Sequence, residues 1–182
     1  MEIHSAQKEV RTVFIGGFVG QLISSILWLL SAIFATWHSQ KLGITVLVLG
    51  GFFILPTLQL VLRLMKRPHT LSSQNPMGQL AMQVAFTLPL SLPLVAAASL
   101  HRIEWFYPAF MITLGAHYLP FTFLYGMRMF IPLCGLLVSV GLLIGLYLPS
   151  STTFGAWITF IILFIFAFIG RFIVSREQRG LA

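Results

Sequence analysis

Six stretches of about twenty residues, almost free of charge, run through this chain and dictate what it can fold into. They cover residues 13–37, 43–64, 77–100, 106–126, 129–148 and 153–174. A helix needs roughly 20 apolar residues to cross the hydrocarbon core of a bilayer. No Asp, Glu or Lys lies within any of the six, and Arg63 and Arg171 sit near the ends of theirs. Charged residues are 8% of the chain and apolar ones 58%, against about 25% and 45–50% in a soluble domain. Such a chain cannot cover itself with charge in water. A soluble enzyme, a disordered chain and a disulfide-stapled secreted domain are excluded. The single cysteine, Cys134, cannot form an intrachain disulfide and reads as a small packed side chain. The expectation is one all-α domain over residues 1–182, a polytopic membrane helix bundle of six transmembrane helices.

Breaks between the stretches fall at Lys41 and Gly43, at Lys66-Arg67-Pro68, at His101-Arg102 with Glu104, at Arg128, and at Pro149-Ser150-Ser151. A signal peptide is the rival reading of the first stretch. Its run is too long for the ~7–15 residues of a signal core, and no A-x-A-like site follows, so it reads as a retained span. Lys and Arg then set the orientation. The N-terminus, second loop, fourth loop and C-terminus hold nine of the eleven basic residues, and the opposite side holds Lys41 and Arg102. Basic residues stay on the cytoplasmic side, so both termini are expected there. Trp37, Trp105, Tyr107, Tyr147 and Trp157 fall near the expected outer ends, where amphipathic rings favour the interface. The net charge of +7 is used by this asymmetry. No nucleic-acid-binding motif accompanies it, so no nucleic-acid partner is expected.

Polar groups inside a bilayer carry information, because each one without a partner costs several kcal/mol. In the first stretch Gln21, Ser24 and Ser25, Trp28, and Ser31 and Ala32 share one face at helical spacing. Gln59 lies near the inner end of the second, and Gln79 and Gln83 are aligned one turn apart in the third. All four glutamines fall in the expected cytoplasmic half. The fourth stretch has His117 near its midpoint, Thr113 one turn away, and a stripe of Tyr118, Thr122 and Tyr125. Pro120 removes a backbone donor there and is expected to kink the helix beside His117. An intramembrane ionisable residue is a functional hypothesis by default. The plain alternative is a neutral histidine bonded to a Gln or Thr of a neighbouring helix. Pro89 and Pro93 in the third stretch read as a static kink, or as a hinge or a source of carbonyl ligands for a cation. Asn75 before Pro76 matches a helix N-cap with Pro at the first helical position. Gly16 and Gly20, and Gly141 and Gly145, are small-residue pairs suited to close packing within the monomer, and they leave a homo-oligomer open.

The inventory removes the common enzymes of membranes. The chain has no Asp. It lacks an intramembrane Lys, a second deep His for haem, H-E-x-x-H, G-x-S-x-G and a Walker loop. His117, Tyr118, Tyr125 and Arg128 are the only plausible reactive set, so a catalytic role is disfavoured and neither cofactor nor metal is expected. His101 and Glu104 are too few to hold a metal tightly.

The run GAHYLPF at residues 115–121, followed by LYGM at 124–127 and preceded by Asn75-Pro76, resembles a family of small bacterial multi-span membrane proteins without assigned function. The resemblance covers residues 75–127. It implies a bacterial membrane location and carries over no site residue; the expected place is the bacterial cytoplasmic membrane. From the residues themselves, the leading expectation is a small transporter or channel-like protein with a cytoplasm-facing polar cavity centred on His117. Its ligand-binding residues would be His117, Tyr118, Thr113, Tyr125, Gln21, Gln59, Gln79 and Gln83, and its ligand small and neutral or weakly polar. Membrane lipids would be its other partners. The alternatives are a structural or accessory membrane subunit without its own ligand, and an enzyme acting on a lipid or quinone.

Overall fold

The computed structural model describes residues 1–148 and 153–180, and no strand occurs among them. The expected break at Pro149, Ser150 and Ser151 lies outside the described residues. The helices are α1 (Ile3–Val13), α2 (Phe18–Trp37), α3 (Gln40–Gly51), α4 (Ile54–Leu64), α5 (Met77–His101), α6 (Phe106–Tyr118), α7 (Phe121–Tyr125), α8 (Phe130–Tyr147) and α9 (Phe154–Gln178).

Among the described residues, four helical segments are long and apolar enough to cross a membrane: Ile15–Trp37, Met77–His101, Phe130–Tyr147 and Phe154–Gln178. The bent pair α3 and α4 makes a fifth if taken as one span, with 57° between its halves. The fourth expected stretch is also interrupted. Its helix α6 has 13 residues, about 20 Å at 1.5 Å per residue, short of the ~30 Å hydrocarbon core. Pro120 sits at the break, where its ring and missing N–H end the ladder. The chain resumes as the five-residue α7 and stops at Gly126, whose φ of 63° is open to glycine at little cost.

Local chemistry explains the other ends. The Asn75 side chain accepts the Met77 N–H at 2.9 Å, so the expected N-cap of α5 is present. Ser39 does the same for α3 through the Leu42 N–H. Before α2, Ile15, Gly16 and Gly17 take φ values of 52°, 62° and 84°, which separates α1 from the apolar run. Pro89 and Pro93 lie inside α5 without ending it, and both are exposed.

Apolar burial cannot drive helices together in lipid, so close approach must. α2 packs against α3 and α9, α6 against α8, and α5 rests on α6. A Cβ on Gly16 would lie 2.8 Å from the Gly170 carbonyl oxygen. One on Gly141 would lie 3.0 Å from the Pro108 carbonyl oxygen, and one on Gly145 2.7 Å from the Trp105 ring. These glycines therefore pack within the chain, while Gly20 meets nothing within 4 Å. Between α2 and α6 the space is filled by rings. Trp28 is fully buried, with centroids 5.3 Å from Phe110 and 6.0 Å from Tyr107.

Candidate functional site

The face of α2 that the 3.6-residue period groups together is buried: Gln21, Ser24, Ser25, Trp28, Ser31 and Ala32. Side chains of this face meet α6 and α7 at several levels, which together form a seam. At one end the Ser31 hydroxyl gives its proton to the Gly43 carbonyl at 2.8 Å and lies 2.9 Å from the Tyr107 hydroxyl. With the serine proton committed, Tyr107 is the donor of the second bond. At the middle Ser24 faces the Tyr118 hydroxyl. At the other end Gly17 lies against the rings of Tyr125 and Phe130. Gln21 stands between the last two levels, one turn from Gly17 and about one from Ser24. Its side chain is 2% exposed, and neither its amide nitrogen nor its carbonyl oxygen has a protein partner. The Thr122 hydroxyl of α7, also buried, lacks one too. Tyr118 and Tyr125 are held by ring contacts. Tyr118 stacks on Phe130 at 6.2 Å, and Tyr125 approaches the same ring at 5.3 Å.

His117 points elsewhere. It is half-buried on the side of α6 that meets α5, with Nδ1 2.8 Å from the Thr87 hydroxyl. Thr87 gives its own proton to the Val84 carbonyl at 2.7 Å. His117 therefore donates through Nδ1 and leaves Nε2 as an acceptor in the neutral ring. This is a helix-to-helix hydrogen bond of the kind the plain reading of the histidine expected. Thr113 turns back on its own helix and donates to the Phe110 carbonyl. Gln59 is half-buried on α4, and Gln79 and Gln83 are exposed on α5. Of the eight residues read as ligand-binding, the fold groups Gln21, Tyr118 and Tyr125 in one seam and spreads the other five over α4, α5 and the far side of α6. Two open grooves lie outside both places. One runs along the outer face of α9 at Phe164, Phe168 and Phe172, and the other lies between Arg11, Arg128 and Glu177.

A polar cluster joins four segments far apart in sequence. Arg11 of α1 is 7% exposed, pairs with both carboxylate oxygens of Glu177 at 2.7 and 3.0 Å, and donates to the Tyr125 carbonyl at 2.8 Å. Gln7 donates to the Phe123 carbonyl. Glu9 accepts from the Ser72 backbone N–H, the Ser72 hydroxyl and the Asn75 amide. The Ser72 N–H foremost, aided by the Asn75 and Ser72 side chains and opposed by partial burial, holds the Glu9 carboxyl below its ordinary value. The Asn75 amide also reaches the Ala6 carbonyl, and Arg67 reaches that of Thr12. Arg11 and Lys8 entered the sequence reading only as orienting charges. A buried Arg that closes open carbonyls leaves no periodic mark in a sequence.

The model of a family of unknown function, DUF7010, matches residues 3–172. The chain belongs to that family. No curated protein and no solved structure matches it. The DUF7010 region takes in α1 whole, and with it Gln7, Glu9 and Arg11, and ends before Glu177. It also contains the full seam, from Gly17 to Tyr125. This chain is thus a helical member of the family with helices long and apolar enough to cross a membrane, and the family assigns no chemistry.

Proposed function

We propose that this DUF7010 chain is a small carrier or channel-like protein of the bacterial cytoplasmic membrane that admits a small neutral polar molecule along the seam between α2 and the α6–α7 pair. It would cross the membrane six times, the interrupted α6–α7 segment counted as the fourth, with both termini cytoplasmic. Two observations support that topology. Nine of eleven basic residues fall on one side in the six-span reading. The N-terminal helix, the loop before α5, the end of α7 and the end of α9 are joined by side-chain bonds at one end of the bundle. Interrupted backbone at membrane depth is tolerated where it is buried in protein or lines a cavity, and α6 is the most enclosed helix of the bundle.

The carrying observation is the Gln21 carboxamide, buried with both ends unpartnered. A buried amide left without partners costs roughly 1–3 kcal/mol. A ligand or water that supplies both a donor and an acceptor would remove that cost, and no carboxylate or lysine is at hand to favour a charged one. The site therefore moves from His117 to Gln21, Tyr118 and Tyr125. The test is osmotic recovery of proteoliposomes with urea, acetamide and glycerol, wild type against Gln21→Leu, beside thermal unfolding of both. We expect faster recovery than empty liposomes for at least one solute, lost in Gln21→Leu, with the variant melting at a higher temperature than wild type. Recovery no faster than in empty liposomes, together with a variant less stable than wild type, would overturn the carrier. It would favour an accessory subunit whose polar groups only join helices, a reading that the His117–Thr87 bond supports.

A further inference from the structure

We infer that α1 is a hinged strap closing the Tyr125 end of the seam, with Arg11 as its lock. It rests on where the preceding reading places the seam, and not on what the seam carries.

The strap has a defined hinge. Ile15, Gly16 and Gly17 are three successive residues in the left-handed region. Two are glycines, which adopt it freely, but Ile15 is β-branched and strained there. The turn is itself buried, with Gly16 against Gly170 of α9, so it is the anchored point about which α1 would swing. What holds α1 is mostly polar. Its buried apolar side chains are only Ala6, Val10 and Val13. Against these stand the Gln7 bond to Phe123, the Glu9 bonds to Ser72 and Asn75, and the Arg11 bonds to Tyr125 and Glu177. The Glu9 and Arg11 bonds are charge-assisted and strong, and the whole set is lost together when the helix leaves.

The location gives the strap its purpose. The carbonyl that Arg11 holds belongs to Tyr125, whose ring lies against Gly17, one turn from Gln21. The Gly126 backbone is so near that a Cβ there would lie 2.7 Å from Gln7 Oε1 and 3.0 Å from Arg11 Nη1. α1 therefore covers the last turn of α7 directly. The Arg11 bond, aided by the nearby Lys8 charge, favours the Glu177 carboxylate. Undocked, α1 would still carry Lys8 and Arg11 on one side of an amphipathic helix, suited to lie on an anionic membrane surface.

Cysteine accessibility tests this. Cys134→Ser removes the natural thiol, and Ser24→Cys places a reporter inside the seam. Inside-out vesicles are exposed to a small membrane-impermeant thiosulfonate, and the labelling rate is read with Arg11 intact, as Arg11→Gln, and as Glu177→Gln. The rate follows the open population. Loss of the lock is expected to raise it about tenfold or more in Arg11→Gln. A smaller rise is expected in Glu177→Gln, which keeps the Tyr125 bond and carries the test alone if Arg11→Gln fails to fold. An unchanged rate in Glu177→Gln with unchanged thermal stability overturns the strap, as does fast labelling with Arg11 and Glu177 intact. Faster labelling in a protein that fails the liposome assay keeps the strap and rejects the carrier.

Discussion

α5 and the α6–α7 segment read almost alike in sequence and behave as opposites. Both are apolar, both contain proline, and both carry hydroxyls beside an imidazole or amides. α5 holds Pro89 and Pro93 and runs unbroken for 25 residues. The α6–α7 segment holds Pro120 toward its C-terminal end and breaks there. α5 buries only Met77, Val84 and Val95, whereas α6 buries eight of its 13 residues. The difference is one of surroundings. Where a helix faces lipid, nothing replaces a lost backbone hydrogen bond, so the helix keeps as many as it can. Where a segment is wrapped by protein, neighbours tolerate irregular backbone. The break at Pro120 lies in the enclosed part of the bundle, beside the seam, whereas the bend between α3 and α4 falls at the exposed Phe52 and Phe53.

Three experiments sharpen the contrast. The largest effect is expected from Gly115→Leu, because a Cβ there already meets Val138 at 2.9 Å and the Cys134 carbonyl oxygen at 3.1 Å. Thermal or denaturant unfolding in detergent should show a loss of about 3 kcal/mol or more from overpacking. Leu90→Ala on α5, 76% exposed, should stay within about 0.5 kcal/mol. Equal losses at the two sites would break the contrast. Next comes the pair of interhelical hydroxyl bonds. Tyr107→Phe removes the buried bond to Ser31 and should cost about 1 kcal/mol. Thr87→Val removes the partner of His117 on the exposed joint and should cost about 0.6 kcal/mol. The reverse order would mean that α5 is held as firmly as α6. The smallest effect concerns α1, which lies outside both. The Glu9 carboxyl is held below its ordinary value in the folded state, so its contribution is present above the unfolded pKa and lost as pH falls through the folded one. Wild type should lose its advantage over Glu9→Gln as pH falls below about 4. An advantage that persists in acid would show that Glu9 is not held as a carboxylate.

Several features were legible without a structure because a short-range rule produces them. The buried α2 face follows from residues 3.6 apart. The Asn75 cap follows from one side chain meeting an N–H two residues on. The interruption at Pro120 follows from a missing donor. His117 illustrates the limit. Its depth is a local property and was readable, but the side of α6 it takes depends on where α5 packs. Depth alone made it the centre of an expected cavity, whereas the fold gives it to Thr87. Gln79 and Gln83 were aligned correctly with each other and then exposed by the same packing choice.

By itself, the amino-acid sequence determined that this chain is helical and suited to a membrane, and roughly where its long apolar helices lie, though neither α1 nor the bend between α3 and α4 was legible in it. Hydropathy and capping act over a few residues, so composition and spacing express them fully. Only the tertiary structure decided which polar groups share a space. Gln21 and Tyr125 lie 104 positions apart, and Arg11 and Glu177 166 apart. Their neighbourhood is set by the close approach of glycine-bearing helices and by aromatic rings filling what remains. That arrangement depends on the order in which helices pack, which no local pattern of polar and apolar residues encodes.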